Sequence, residues 1–297
     1  DIAVDKNGNV YVTGSIGGGT HVTPEGWGAE GRDYGTFKYN SDGALQWLTR
    51  YNGSVGEDVP TSLVLDQAGN IIVSGYSAGT GYDYATVKYS TNGEQLWAAI
   101  YNGTSNYMDI ATSMALGQNG DILVTGYSAG SGTDYDYTTI RYDSNGVEKW
   151  VSRYNGEGNA SDKAKQIVVD SNGNAYVTGG SYGSGTGIDF AAVKYDATGV
   201  EQWVARYNGS GNGNDTANSI AVDTSGNVYV TGESYAGESR ETDFTTMKYS
   251  EIYSDDQVPI VNAGPNQTIE CTGPLGAAVI LDGFGSSDPD GDALTYT

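Results

Sequence analysis

The chain is poor in cysteine and in positive charge, and each shortage narrows the range of functions. Its one cysteine, Cys271, cannot form an internal disulfide, so the thiol is either free or paired outside this chain. Only 14 Lys and Arg residues stand against 37 Asp and Glu residues, which gives a net charge of −23. Nucleic acids and anionic membranes both bind basic surfaces, so this charge disfavours both as partners.

Long apolar runs and helical patterns are also missing. No run approaches the roughly 18 apolar residues of a membrane-spanning helix, and no segment shows a sustained 3.6-residue apolar periodicity. The sequence has only 6 Pro, but it has 45 Gly and 24 Tyr together with much Ser, Thr and Asn. This composition favours short strands joined by tight turns, so we predict an all-β protein.

Three markers recur in fixed order over the first 250 residues. The first, YVTG or a near variant, ends at Gly14, Gly75, Gly126, Gly179 and Gly232. The second, G-x-x-x-W, ends at Trp47, Trp97, Trp150 and Trp203. The third, Tyr-Asn-Gly, falls at 51–53, 101–103, 154–156 and 207–209. Their common spacing divides the chain into five tandem repeats, at about 1–53, 54–104, 105–156, 157–209 and 210–250.

Each repeat predicts four short strands, a to d. The pattern is clear in SIAVD (219–223) for strand a, NVYVTG (227–232) for strand b and EQWVARY (201–207) for strand d. Strand c reads D-[YF]-x-[TA]-x-[KR]-Y and begins at Asp33, Asp83, Asp136, Asp189 and Asp243. Four-stranded antiparallel units of this length are typical of β-propeller blades, which bury their faces against one another. The tryptophans and strand-c tyrosines are predicted to form the core between blades.

The fifth repeat stops after strand c. It has no G-x-x-x-W and no Tyr-Asn-Gly, although the other four repeats have both. We predict that the missing strand d lies upstream of Asp1, that the native ring has six or seven blades, and that the chain is part of a longer protein. A change in composition after Lys248 marks a boundary, with 251–258 as a linker.

Two families resemble this sequence. The block IAVDxxGNVYVTGxS, then DYxTxKY and GxxxWxxxYNG, resembles the bacterial SBBP-type β-propeller repeat over about residues 1–250. Residues 259–297, with LDGxxSxDPDGDxLTY at 281–296, resemble the first half of a PKD-like immunoglobulin-type sandwich. These resemblances imply a non-catalytic binding or scaffold module of a secreted or cell-surface bacterial protein, used in adhesion or in protein or glycan binding. The alternative is an accessory region of a secreted hydrolase whose catalytic domain lies elsewhere.

The longest connection between strands b and c is one candidate binding site. Nineteen residues separate Gly14 from Asp33, against 8 to 11 at the equivalent places in the other repeats. This insertion carries His21 and Trp27, which we predict to be ligand-binding residues. The alternative is a tolerated surface insertion, because extra loop length costs little stability.

Recurrent carboxylates form the other candidate sites. One set, just before strand a, is predicted to ring one end of the channel and to bind a ligand or Ca²⁺, which prefers clustered oxygens. The alternative is that each carboxylate accepts hydrogen bonds from the amides of its own loop. The set consists of Asp58, Asp109, Asp162 and Asp215. A second predicted Ca²⁺ site, with an ordinary acidic turn as its alternative, is the DPDGD turn of Asp288, Asp290 and Asp292.

No catalytic residue is predicted. The motif G-x-S-x-G occurs around Ser77 and Ser128, but a nucleophile elbow needs a strand–turn–helix context and a histidine base. Here the motif ends strand b and leads into another strand, and His21 is the chain's only histidine. We therefore interpret these segments as blade turns and the chain as a non-enzyme.

Overall fold

Strand follows strand in the described part of the computed structural model. It describes residues 1–250 except 18–20, 24–25, 29–30, 54–55, 80, 131 and 238–241, and for 21–23 and 26–28 it describes the backbone. Within these residues the only helical segment is a 3₁₀ turn, Gln118–Gly120. The predicted linker and PKD-like segment, Cys271 and the predicted Ca²⁺ ligands Asp288, Asp290 and Asp292 lie outside the described residues and stay predictions.

The strands pair antiparallel into four four-stranded sheets and one three-stranded sheet, each built from one repeat. The first repeat contains β1 (Ile2–Val4), β2 (Val10–Gly17), β3 (His21–Thr23), β4 (Gly26–Gly28), β5 (Arg32–Tyr39) and β6 (Leu45–Tyr51). The second contains β7 (Asp58–Leu65), β8 (Ile71–Ala78), β9 (Tyr82–Tyr89) and β10 (Gln95–Tyr101). The third contains β11 (Asp109–Leu116), β12 (Ile122–Ala129), β13 (Tyr135–Tyr142) and β14 (Glu148–Tyr154). The fourth contains β15 (Asp162–Val169), β16 (Ala175–Gly183), β17 (Gly187–Tyr195) and β18 (Glu201–Tyr207), and the fifth β19 (Thr216–Val222), β20 (Val228–Tyr235) and β21 (Thr242–Tyr249).

The predicted strand order a-b-c-d is confirmed in the first four sheets, where consecutive strands are neighbours. In the first sheet these are β1, β2, β5 and β6, and the hairpin β3–β4 is an extra two-stranded sheet in the b–c connection. Contacts join each sheet to the next, as β2 to β7 and β8 to β11. The sheets therefore stack as the blades of a β-propeller. The number of blades in a complete ring stays a prediction.

Local hydrogen bonds explain why the D-x-x-G-N segments form the a–b turns. Asp66 accepts from the backbone N–H groups of Ala68 (2.9 Å) and Asn70 (2.8 Å), and the Asn70 side chain donates to its other oxygen (2.9 Å). Gly69 between them has a φ of +81°, which glycine adopts without strain. The Asp and Asn of the pattern therefore contribute hydrogen bonds to the turn, and the Gly contributes its positive φ.

The core lies between neighbouring blades. Tyr34 and Tyr51 of the first blade pack with Ile71, Val73 and Val87 of the second. Three of the four repeat tryptophans occupy equivalent places, since the indole N–H of each of these three donates to a carbonyl in the c–d turn of the next blade. The pairs are Trp47 with Thr91 (3.1 Å), Trp97 with Ser144 (3.2 Å) and Trp150 with Ala197 (3.2 Å). The predicted role of these rings between blades is confirmed.

Candidate functional site

Most of the candidate residues lie at one end of the blades, where each strand d finishes and the next strand a begins. We call this end the YNG end. The strand-a carboxylates predicted as ligands begin β7, β11 and β15, or directly precede β19. All four are at most 1% exposed. The structure thus places them inside the wall of the propeller, away from solvent.

Each of these carboxylates holds a Tyr-Asn-Gly turn. Asp162 accepts from the N–H of Gly156 (2.6 Å) with one oxygen and from the N–H of Tyr182 (2.9 Å) with the other. In the other blades the equivalent glycine N–H donates to the equivalent carboxylate. The pairs are Gly53 with Asp58 (3.1 Å), Gly103 with Asp109 (2.6 Å) and Gly209 with Asp215 (2.7 Å). This is the loop-bonding role that was the alternative interpretation, and a ligand-binding role for these residues stays a prediction.

Burial raises the pKa of Asp58, Asp109 and Asp162, although hydrogen bonds from serine hydroxyls and loop amides act in the opposite direction. A buried carboxylate that accepts two or more hydrogen bonds keeps a defined orientation. These groups are therefore suited to fixing the connection between blades.

An arginine that the sequence analysis did not single out forms the most elaborate cluster at the YNG end. Arg153, the residue before the Tyr-Asn-Gly tyrosine, donates to Ser128 Oγ (2.9 Å), to the Ser128 carbonyl (2.7 Å) and to Asp136 Oδ2 (3.0 Å). It joins strand d to strands b and c within one blade. We call this arrangement the Arg clamp.

The clamp recurs with small changes. In the fourth blade Arg206 makes the same contacts with Ser181 and Asp189, and it also donates to Tyr154 OH of the preceding blade at 2.9 Å. In the first blade Arg50 lies 3.3 Å from Asp33. In the second blade the equivalent residue is Ile100, and its side chain is half exposed. Three arginines and one isoleucine before Tyr-Asn-Gly were the sequence signal for this cluster.

The strand-c cations use the opposite end of the blades. Lys88 lies 2.9 Å from Asp66, and Arg141 lies 2.6 Å from Asp121. Each pair joins strand c to the a–b turn of its own blade. Their side chains point away from the strand-c aspartates, as the odd spacing in a strand predicts.

The insertion of the first blade forms the hairpin β3–β4, with His21 opposite Gly28 and Val22 opposite Trp27. It lies in a b–c connection and so belongs to the YNG end. The sequence predicted a loop here and did not predict strands. Ligand binding by His21 and Trp27 stays a prediction.

The inner strands line a polar cavity of about 390 Å³. Its lining includes Thr61, Ser62, Thr112, Lys165 and Gln166. Hydroxyls in it bond successive blades, since Thr61 Oγ1 donates to the Ala111 carbonyl at 3.0 Å. The cavity therefore offers both hydrogen-bond donors and hydrogen-bond acceptors.

The serines of the two G-x-S-x-G motifs lie in strands. Ser128 lies in β12, and its hydroxyl oxygen accepts a hydrogen bond from Arg153. Ser77 lies near the end of β8. Both motifs lead into another strand, as predicted. Within the described ranges no group of three or more His, Cys, Asp or Glu side chains is arranged to hold a metal ion. The described residues also contain no helix long and apolar enough to cross a membrane.

Three segments match the SBBP β-propeller repeat. The matched residues are 1–19, 152–185 and 202–237. No curated protein sequence matches the chain. The SBBP resemblance predicted from the sequence is confirmed in these segments.

Solved structures with a similar arrangement of strands include several enzymes. The periplasmic gluconolactonase PpgL of Pseudomonas aeruginosa has 11% identity and a TM-score of 0.47, over 87% of this chain and 74% of that one. CoXyl43, a GH43 β-xylosidase/α-arabinofuranosidase from a compost microbial metagenome, has 12% identity and a TM-score of 0.40, over 91% and 92%. At such values the likeness carries no information about the function of this chain.

Replacing Asp162 by Ala is expected to lower the free energy of unfolding by about 3 kcal/mol, because two buried backbone N–H groups lose their acceptor. Asp162→Asn keeps one acceptor and should cost less. Since burial raises the pKa of Asp162, its carboxyl stabilises the wild type most at low pH, and that contribution falls as pH rises from about 3.9 through the folded-state value. The cost of Asp162→Asn should therefore be smaller at pH 7 than at pH 3.5.

Urea unfolding of these variants measures both effects, with the exposed turn variant Asp42→Ala as the control. A loss below about 1 kcal/mol for Asp162→Ala, similar to that of the control, would show that the carboxylate does not hold the turn.

Proposed function

We propose that this chain is a non-catalytic binding or scaffold module of a secreted or cell-surface bacterial protein, and that all of residues 1–250 belong to the SBBP propeller family. The module displays the β3–β4 hairpin at the YNG end to a glycan or protein ligand. The observation that carries the proposal is the contrast between this hairpin and the uniform blades around it. It is an additional element in one b–c connection, where ligands of loop-rich scaffolds are commonly bound.

The use of the polar side chains supports a non-catalytic role. The strand-a carboxylates are buried and accept hydrogen bonds from loop amides. The strand-c aspartates Asp33, Asp136 and Asp189 are paired with arginines. General acid–base catalysis needs titratable groups within reach of a substrate, whereas these groups are occupied in joining strands. Trp27 suits a glycan, because indole rings stack on apolar faces of ligands and can also donate a hydrogen bond.

A glycan array probed with the 297-residue chain tests this function. Any glycan bound by the wild type should bind at least tenfold more weakly to the variant His21→Ala, Trp27→Ala. The control Leu96→Ala, Val147→Ala removes two exposed apolar side chains elsewhere and should bind within twofold of the wild type. Bound glycans should keep their mass after prolonged incubation.

Two results would contradict the proposal. Equal loss in both double variants would mean that the hairpin is not the binding surface. Cleavage of an array glycan by the purified chain would make it an enzyme.

A further inference from the structure

The second blade differs from its neighbours at one charged position. The Arg clamp places a guanidinium between strands b, c and d in the first, third and fourth blades. In the second blade Ile100 takes the place of that arginine, and among the described residues no Lys or Arg side chain forms an ion pair with Asp83. The oxygens that bind the guanidinium elsewhere are nevertheless all present.

Asp58, Ser77 and Asp83 lie opposite one another on the adjacent strands β7, β8 and β9, so their side chains share one face of the sheet. Tyr51 from the first blade completes the group, because a Cβ built on Gly53 would lie 2.2 Å from Ser77 Oγ and 3.0 Å from Tyr51 OH. In the fourth blade the equivalent Ser181 Oγ and Tyr154 OH both accept from one nitrogen of Arg206. We call the corresponding position in the second blade the open clamp.

Buried carboxylate oxygens in the open clamp lack partners. Asp58 is 0% exposed, and the Oδ1 atoms of Asp58 and Asp83 have no hydrogen-bond donor among the described residues, as is also true of Asp109, Asp136 and Asp189 in blades whose clamp is filled. An unpartnered buried carboxylate oxygen is costly, particularly next to a second carboxylate. Burial and the nearby charge of Asp109 both raise the pKa of Asp83. A guanidinium at this position would supply Asp83 Oδ2 and Ser77 with the donors that Asp136 Oδ2 and Ser128 have in the third blade, and it would reduce the repulsion between Asp83 and Asp109.

The open clamp is accessible from solvent. Ile100 is 50% exposed, and the side chain of Arg50, which fills the equivalent place in the first blade, is 46% exposed. A group that approaches the outer edge of the second blade can therefore reach Asp83 without entering the core.

We propose that the open clamp binds a guanidinium group supplied from outside the chain, as an arginine side chain of a partner protein. A guanidinium is favoured over an ammonium because, in the filled clamps, two nitrogens of one guanidinium donate to different acceptors. In the third blade one nitrogen of Arg153 binds Ser128 Oγ, and the other binds the Ser128 carbonyl and Asp136. A planar fork fits this arrangement, and a single point charge does not. The net charge of −23 further favours a cationic partner.

The open clamp lies on the outer edge of the second blade and not on the β3–β4 hairpin. Only the identity of the partner rests on the proposed binding function. A failure of the glycan experiment therefore leaves the guanidinium site standing, and the reverse is also true.

The test is a titration of the 297-residue chain with N-acetyl-L-arginine amide, followed by the NMR signals of Gly53, Ser77 and the Asp83 carboxyl. The probe should bind at least tenfold more tightly than N-acetyl-L-lysine amide. Asp83→Asn should weaken binding at least tenfold. Ile100→Arg should abolish binding, because its own guanidinium fills the clamp, and it should raise the melting temperature.

The matched control is Leu96→Arg, which adds the same charge at another exposed position of β10. It should bind the probe within twofold of the wild type and should not gain the melting increase. Equal affinity for the lysine probe or for Ca²⁺ would show a general cation site and overturn the guanidinium assignment. Binding that survives in Ile100→Arg, or no binding to the wild type, would overturn the site itself. If Asp83→Asn does not fold, the comparison of the two arginine variants decides.

Discussion

Raising the pH above about 10 is expected to unfold the propeller cooperatively, because buried tyrosines cannot ionise inside it. Burial raises the pKa of Tyr34, Tyr84 and Tyr137 well above the ordinary value. All three rings are at most 1% exposed. In the unfolded chain they ionise near pH 10. The stability that depends on their protonated form is therefore complete below about pH 10 and falls as pH rises further.

The size of the effect follows from linkage. Above the unfolded-state pKa, each tyrosine that ionises only after unfolding lowers the free energy of unfolding by about 1.4 kcal/mol per pH unit. These three residues alone give about 4 kcal/mol per pH unit, against a typical total stability of about 5–15 kcal/mol, and burial also raises the pKa of Tyr89, Tyr142, Tyr176 and Tyr195. Unfolding is therefore expected within about one to four pH units above pH 10. Tyrosinate absorbance and far-UV circular dichroism, recorded together against pH, should change in one transition.

Tyr84→Phe tests the cause. Tyr84 OH donates to the Thr138 carbonyl of the next blade at 3.1 Å, so the variant should lose about 1 kcal/mol at neutral pH. Above pH 10 its stability should fall less steeply, by about 1.4 kcal/mol per pH unit, which is the share of one tyrosine. The fourth blade already carries Phe190 at this position, equally buried, so the ring without its hydroxyl fits the fold. Normal titration of all tyrosines near pH 10, with the strands still formed, would contradict this account.

A second large loss is expected for Gly146→Ala, in the c–d turn of the third blade. Gly146 has a φ of +82°, and an added Cβ would lie 2.7 Å from Cδ2 of Trp97, the tryptophan of the preceding blade. The variant must strain the turn and also displace the indole. Backbone strain costs about 1 kcal/mol and overpacking about 1–3 kcal/mol more. We expect a total loss of about 2–4 kcal/mol in urea unfolding.

The chain contains a control for this substitution. Gly43 occupies the equivalent turn of the first blade with a φ of +80°, but nothing lies within 4 Å of its added Cβ. Gly43→Ala should therefore cost only the backbone term, about 1 kcal/mol. Equal losses in the two variants would mean that the contact between Trp97 and the glycine contributes nothing to holding the blades together.

The strands and the contacts between blades could be predicted from the sequence because they repeat. A residue that recurs every 50 to 53 positions must satisfy the same environment each time, and Trp47, Trp97 and Trp150 do so. The predicted strand 201–207 coincides with β18 (Glu201–Tyr207). Alternation of apolar and polar residues within strands sets the faces, and glycine turns set the ends.

The site could be predicted only in part, because its contacts join residues that are distant along the chain. Arg153 reaches Ser128, 25 residues away, and Asp136, 17 residues away, and no local pattern specifies that convergence. The burial of Asp162 was likewise not evident, since a carboxylate before a strand fits an open channel rim as well as a closed turn. The hairpin β3–β4 was missed because its segment is rich in glycine and lacks the alternation typical of the other strands.

The tryptophan of each of the first three blades rests on the glycine turn of the blade that follows it, so the two sides of a blade are different and complementary. Such a head-to-tail interface can be copied without inventing a new surface, as in ring assemblies of identical subunits. Adding or removing one whole repeat would leave the tryptophan-on-glycine contact of the remaining junctions unchanged. Gene duplication can thus change the length of this protein in steps of one blade, while a change of a few residues within a blade would break a junction.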